Sequence, residues 1–112
     1  MYADTDEEGL DAHLPVAVEI FSLLADATRV RLVLALRDGE QSVGVLAEAV
    51  GKSQAAVSQH LAKLRMSRVV ATRQEGNRVF YRLANKHALE LVEVAFHQAE
   101  HAVDGVVSHR DA

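Results

Sequence analysis

The chain has no cysteine and no tryptophan, a single proline and few aromatic residues of any kind. Without cysteine there are no disulfides, no thiolate metal sites and no thiol nucleophile. Nowhere do apolar residues run for the eighteen or so positions that a membrane span needs. The first eight residues hold neither a basic n-region nor an apolar h-region, so no secretory signal, no membrane contact and a cytoplasmic location are expected. There is no internal repeat, no low-complexity stretch, no glycine-rich phosphate loop and no pair of acids placed for acid–base work. Ser58 and His60 stand two apart on what reads as one helix and so do not face each other, which leaves an enzyme the least supported class.

What is present is one domain's worth of chain: 112 residues, 49% hydrophobic, enough for a thin core that a dimer would extend. The net charge of -4 conceals a segregation along the chain. Residues 1–26 hold seven acids and no Lys or Arg, a net -7; residues 27–86 hold eleven basic residues against four acids, a net +7; residues 87–112 hold one Arg against five acids, a net -4. A basic middle between acidic ends is the distribution expected if only the middle meets phosphate.

Residues 1–12 are acidic and aperiodic and are expected to form a flexible arm. The domain proper spans 13–105, and a flexible tail is expected over 106–112. From Leu14 to Ala25, Leu14, Ala17, Val18, Phe21, Leu24 and Ala25 recur at helical spacing, with Pro15 placed in the first turn. Asp26 can cap a second helix in which Val30, Val33, Leu34 and Leu36 face inward while Arg29, Arg31 and Arg37 point out. Ser42 caps a short helix, Val43 to Val50, that Gly51 stops. Ser53 caps the next, about Gln54 to Ser67, with Val57, Leu61 and Leu64 on one face. Two short helices joined by a tight glycine-containing turn make a helix-turn-helix unit. The period then changes to two over Val69–Gln74 and Val79–Leu83, with Glu75-Gly76-Asn77 supplying hairpin chemistry. From Lys86 to Gly105 it returns to helical. The expected architecture is mainly α with a small β-hairpin, a winged helix-turn-helix of order α-α-α-α-β-β-α, working as a homodimer.

A recognition helix needs short polar side chains near its N-terminus, where they reach base edges in the major groove. Ser53, Gln54, Ser58 and Gln59 supply them, with His60 and Lys63 placed for base edges or phosphates. Arg73, Gln74, Asn77 and Arg78 surround the hairpin tip and can reach an adjacent minor groove or backbone. Each alone is as easily a solvated polar residue; their order along the chain points to double-stranded operator DNA.

The run Leu23-Leu24-Ala25-Asp26-Ala27-Thr28-Arg29-Val30-Arg31-Leu32, the helix pair Leu46 to Gly51 and Ser53 to Arg65, and the wing Arg73 to Leu83 resemble the ArsR/SmtB family of bacterial metal-responsive repressors. The resemblance covers roughly residues 14 to 103 and is nearest to the actinobacterial nickel- and cobalt-sensing branch. It implies a symmetric dimer held by the first and last helices, which represses a promoter and answers to an effector. The family's thiolate site would fall near Val43 and Val45 and is absent. Its second site, built from the last helices of two subunits, has the pattern Asp-x-His, ten residues, then His-x-x-Glu or His. Here that pattern falls on Asn85, His87, Gln98 and His101, so only the two histidines match good ligand types.

His97, Glu100, Asp104 and His109 lie close enough in sequence to complete a different set. His87, His97, Glu100 and His101 are therefore the principal candidates for Ni²⁺, Co²⁺ or Zn²⁺, with Asn85, Gln98, Asp104 and His109 behind them. His87 and His101 are about 21 Å apart along one helix and would need an antiparallel partner crossing near Val94. His97 and His101, one turn apart, can also share an ion within a chain, with Glu93 or Glu100 nearby. Glu90, Glu93, His97, Glu100 and Asp104 equally describe the solvated face of an amphipathic helix. Control by a regulatory partner protein, or no effector at all, is the competing expectation.

Overall fold

The computed structural model describes the backbone of residues 7–111 and the side chains of residues 7–105. Five helices and three strands follow in the order α1 (Glu7–Leu24), α2 (Ala27–Ala35), β1 (Gln41–Ser42), α3 (Val43–Val50), α4 (Gln54–Met66), β2 (Val70–Glu75), β3 (Arg78–Leu83) and α5 (His87–Asp111). The three-helix unit and the hairpin lie where the sequence places them. The ends do not. Helix α1 already includes Glu7, inside the stretch expected as a flexible arm, and Glu7 and Glu8 near its N-terminal end complement the positive end of the helix dipole. Pro15 consequently sits inside α1 and not in its first turn. It has no N–H to return to the carbonyl four residues back, a local weakness in α1. Residues 1–6 of the expected arm lie outside the described residues. At the other end α5 runs on through Gly105 to Asp111, over most of the expected tail, and Ala112 lies outside the described residues.

Each helix start in the central unit is set by a side-chain cap on the third amide. Asp26 accepts from the Arg29 amide at 3.0 Å, Ser42 from that of Val45 at 3.4 Å and Ser53 from that of Ala56 at 3.1 Å. Helix α3 stops because Gly51 takes φ +68 and lets Lys52 N–H reach back to the Ala47 carbonyl at 3.1 Å. Helix α4 ends in the same way without a glycine. Arg68 is held at φ +60 while Val69 N–H donates to the Leu64 carbonyl at 2.9 Å.

The strands form one antiparallel sheet in the order β1-β3-β2. β2 and β3 pair from Val70↔Leu83 to Glu75↔Arg78, leaving Gly76 and Asn77 as a two-residue turn. Only Gly76 has positive φ (+59), the sign pattern of a II′ turn, whose twist suits a hairpin. β1, absent from the sequence reading, pairs Gln41↔Tyr81 and Ser42↔Phe80 and ties the wing to the start of α3.

Helix α2 lies at the centre, in contact with α1, α3, α4 and α5. Leu32, Leu46, Val57, Leu61 and Leu64 are completely shielded from solvent, joined by Val33, Leu36 and, from α5, Ala88 and Val92. Leu32 was not among the residues expected inside, whereas Val30 and Leu34 are only half-buried. Arg29 does not point out either: its side chain is 13% exposed. Helix α1 buries no residue within the chain.

Candidate nucleic-acid interface

The core sets which face of α4 meets the outside. With Val57, Leu61 and Leu64 turned inward, Gln54, Ser58, Gln59 and Lys63 are left exposed on the outer surface. Ser53 is exposed too, although its hydroxyl oxygen is engaged as the helix cap. The turn geometry brings the wing beside this face. A cleft of 440 Å³ is lined by Gln54 and Ser58 of α4 and by Asn77, Arg78 and Val79 of the wing, together with Ser42 and Gly44. Residues about twenty positions apart thus present one polar surface bearing bidentate amides and a guanidinium, the groups that read base edges and grip phosphate.

Within the wing the candidates part company. Arg73 donates through Nε to both carboxylate oxygens of Glu40 at 3.1 Å and through a terminal nitrogen to Glu75 at 2.6 Å, and lies 4.8 Å from the Phe80 ring centre. These bonds hold the Glu40 carboxyl below the usual carboxylate range and hold Arg73 more firmly protonated than a free arginine. Gln74 donates to the Gly76 carbonyl at 3.2 Å and so braces the turn. Arg78 also lies over the Phe80 ring, 5.3 Å from its centre, is exposed and makes no ion pair among the described residues. Arg73 is built into the wing; Arg78 and Asn77 are its presented groups.

His60, expected to touch DNA, is turned inward. Its side chain is 24% exposed, and Nδ1 lies 3.0 Å from an Arg29 terminal nitrogen and 3.9 Å from Asp26. The sequence reading missed this cluster because it took both charged residues of α2 as solvated. The one available signal was an arginine beside the cap residue.

The sequence model described as "Bacterial regulatory protein, arsR family" matches residues 26–72, the stretch from the Asp26 cap through α4 into β2. The HTH-type transcriptional regulator KmtR of Mycobacterium tuberculosis is 51% identical over 113 residues, covering all of this chain and 87% of that protein. The chain belongs to the arsR family of bacterial regulatory proteins. Two solved structures agree. The AntR antimony-specific transcriptional repressor superposes with a TM-score of 0.75 at 35% identity over 83% of this chain and 85% of that one. A homodimeric winged helix-turn-helix DNA-binding domain of Mycobacterium bovis superposes with a TM-score of 0.73 at 27% identity, over 86% and 87%. The arsR-family chain is thus a winged helix-turn-helix transcriptional regulator and not an enzyme.

Two further features of this arsR-family member lie away from the reading face. Phe21, Leu24, Leu91, Val92 and Phe96 line an apolar cavity of 210 Å³ between α1 and α5, and Phe21 and Phe96 are 61% and 49% exposed. On α5, His87, His97, Gln98, Glu100, His101 and Asp104 are all exposed. The structure does not gather them: among the described residues no three His, Asp or Glu side chains of one chain are placed to hold an ion. Asn85 Oδ1 accepts from the His87 amide at 2.9 Å, a turn that leads the chain into α5. The His109 side chain lies outside the described residues.

Proposed function

We propose that the chain is a homodimeric cytoplasmic repressor of operator DNA whose occupancy is set by Ni²⁺, Co²⁺ or Zn²⁺ bound between the last helices of its two subunits. The observation that carries the metal reading is a single stripe on α5: His87, Leu91, Val94, Gln98 and His101, spaced four, three, four and three. Leu91 and Val94 in its middle are apolar yet 40% and 64% exposed. An antiparallel copy of α5 crossing at Val94 covers both and sets His87 of one subunit beside His101 of the other. His97 and Glu100 flank that contact. Imidazole and carboxylate donors suit these borderline divalent ions, and a chain without cysteine offers nothing to a thiophilic one. The exposed apolar residues of α1 extend the same contact, and a dimer carries two copies of the cleft between α4 and the wing, one for each half-site.

The test is titration calorimetry with each metal on the full chain, paired with mobility shifts on DNA from upstream of its own gene. Binding at micromolar or tighter affinity, abolished in the double variant His87→Ala/His101→Ala, with a metal-dependent change in the shift, is expected. Absent binding, or binding unchanged in the double variant, refutes the site and leaves DNA binding under partner or constitutive control.

A further inference from the structure

A cleft of 260 Å³ opens between α1 and α4, lined by Glu19, Ser22, Leu23, Arg29, Lys63 and Met66. The Arg29 side chain forms part of its wall. Nε donates to the Leu23 carbonyl at the end of α1 at 2.6 Å, and a terminal nitrogen reaches His60 on α4 at 3.0 Å. Asp26, the cap of α2, lies 3.9 Å from both partners. One side chain of α2 therefore joins the end of the first helix to the middle of the helix that carries the DNA-reading residues.

The chemistry fixes the state of the histidine. A guanidinium has five donors, no acceptor, and does not lose its proton. His60 can meet it only with a lone pair on Nδ1, so the ring is neutral and its proton is on Nε2. His60 also sits immediately after exposed Gln59 and immediately before fully shielded Leu61. The buried Val57, Leu61 and Leu64 set which face of α4 points outward and leave open only a small rotation about its own axis. A hydrogen bond from its flank to a neighbouring element resists it directly. At a side-chain radius of about 5–6 Å a rotation of roughly 20° moves the tips of Gln54, Ser58 and Gln59 by about 2 Å, enough to break hydrogen bonds to a base.

We infer that His60 is a positioning residue of the DNA interface, which acts through Arg29 to lock the rotation of α4 against the end of α1 and does not itself contact DNA. The experiment measures affinity by fluorescence anisotropy on a duplex selected by the wild-type protein, from 50 to 200 mM salt, for His60→Ala, His60→Asn, Arg29→Met and the double variant. His60→Ala is expected to weaken specific binding about tenfold or more, the worth of one bond to a charged group, with the salt slope unchanged. His60→Asn, which keeps an acceptor near the place of Nδ1, restores most of the loss. The double variant binds no worse than Arg29→Met alone. Losses that add in the double variant, a shallower salt slope for His60→Ala, or no rescue by asparagine each overturn the inference. Long-range nitrogen NMR of the wild-type ring gives a check that needs no variant to fold. A proton on Nε2 alone is expected, and one on Nδ1 overturns the pairing.

Discussion

Arg73 and Arg78 are both wing arginines within reach of a duplex, and charge counting treats them alike. Their surroundings do not: Arg73 is clamped between Glu40 and Glu75, whereas Arg78 lies against the Phe80 ring and makes no ion pair among the described residues. Each lysine or arginine that neutralises a DNA phosphate contributes about 0.9 to the slope of log affinity against log salt. A dimer with one Arg78 contact per subunit therefore loses about 1.8 from that slope in Arg78→Ala. Over the fourfold salt increase from 50 to 200 mM, the wild-type protein should weaken about twelvefold more than the variant. In Arg73→Ala the removed charge was already balanced by two carboxylates. Affinity falls through the repulsion they are left to exert, and the slope should move by less than half as much. Anisotropy titrations at four salt concentrations, on a specific and a random duplex, measure both slopes. Equal flattening by the two variants would refute the assignment of Arg73 to the internal structure of the wing, and an unchanged slope in Arg78→Ala would remove Arg78 from the phosphate contacts.

Gln59→Ala should cost about 1–3 kcal/mol of discrimination at one base pair in each half-site while leaving binding to random duplex unaltered; equal losses on both would contradict base reading. Asp26 is held below the ordinary carboxylate range, first by the Arg29 amide and then by the charge of Arg29. Its stabilisation is thus complete above the unfolded value of about 3.9 and is lost as pH falls through the lower folded value. Urea midpoints measured from pH 7 down to pH 2 should fall more steeply for the wild-type protein than for Asp26→Asn in that acid range, and parallel curves would count against the cap. Leu61→Ala, at a completely shielded position, should destabilise by about 2–5 kcal/mol in urea melts at fixed protein concentration; a loss below about 1 kcal/mol would mean that α4 is not packed as described.

Much of the DNA-binding unit was legible because its signals are local. Ser42 and Ser53 cap the helices they precede, Gly51 ends α3, and Gly76-Asn77 closes the hairpin, each within a few residues of the feature it causes. What escaped depends on distant partners. β1 is two residues long and exists only because β3 runs beside it. Arg29 turns inward toward a histidine 31 residues away, and Glu40 matters through an arginine 33 residues away, neither of which leaves a periodic trace. Asn85, read only as part of a ligand pattern, also turns the chain into α5 by accepting from the His87 amide. Arg68 in the left-handed region carried no signal, because its conformation is imposed by the return of Val69 to Leu64.

Helix α1, eighteen residues long, buries none of them in its own chain, while Leu10, Leu14, Val18 and Phe21 are each about half exposed or more. Short isolated helices are marginal in water. In the proposed dimer the order of α1 is therefore lent by the second subunit, and assembly and folding become one mass-action equilibrium. Each tenfold dilution of protomers takes about 1.4 kcal/mol from the apparent stability of such a dimer. As dilution parts the proposed dimer, its first helix frays and becomes open to proteases. A repressor of this construction is cleared when scarce, which sharpens its withdrawal beyond what DNA affinity alone provides.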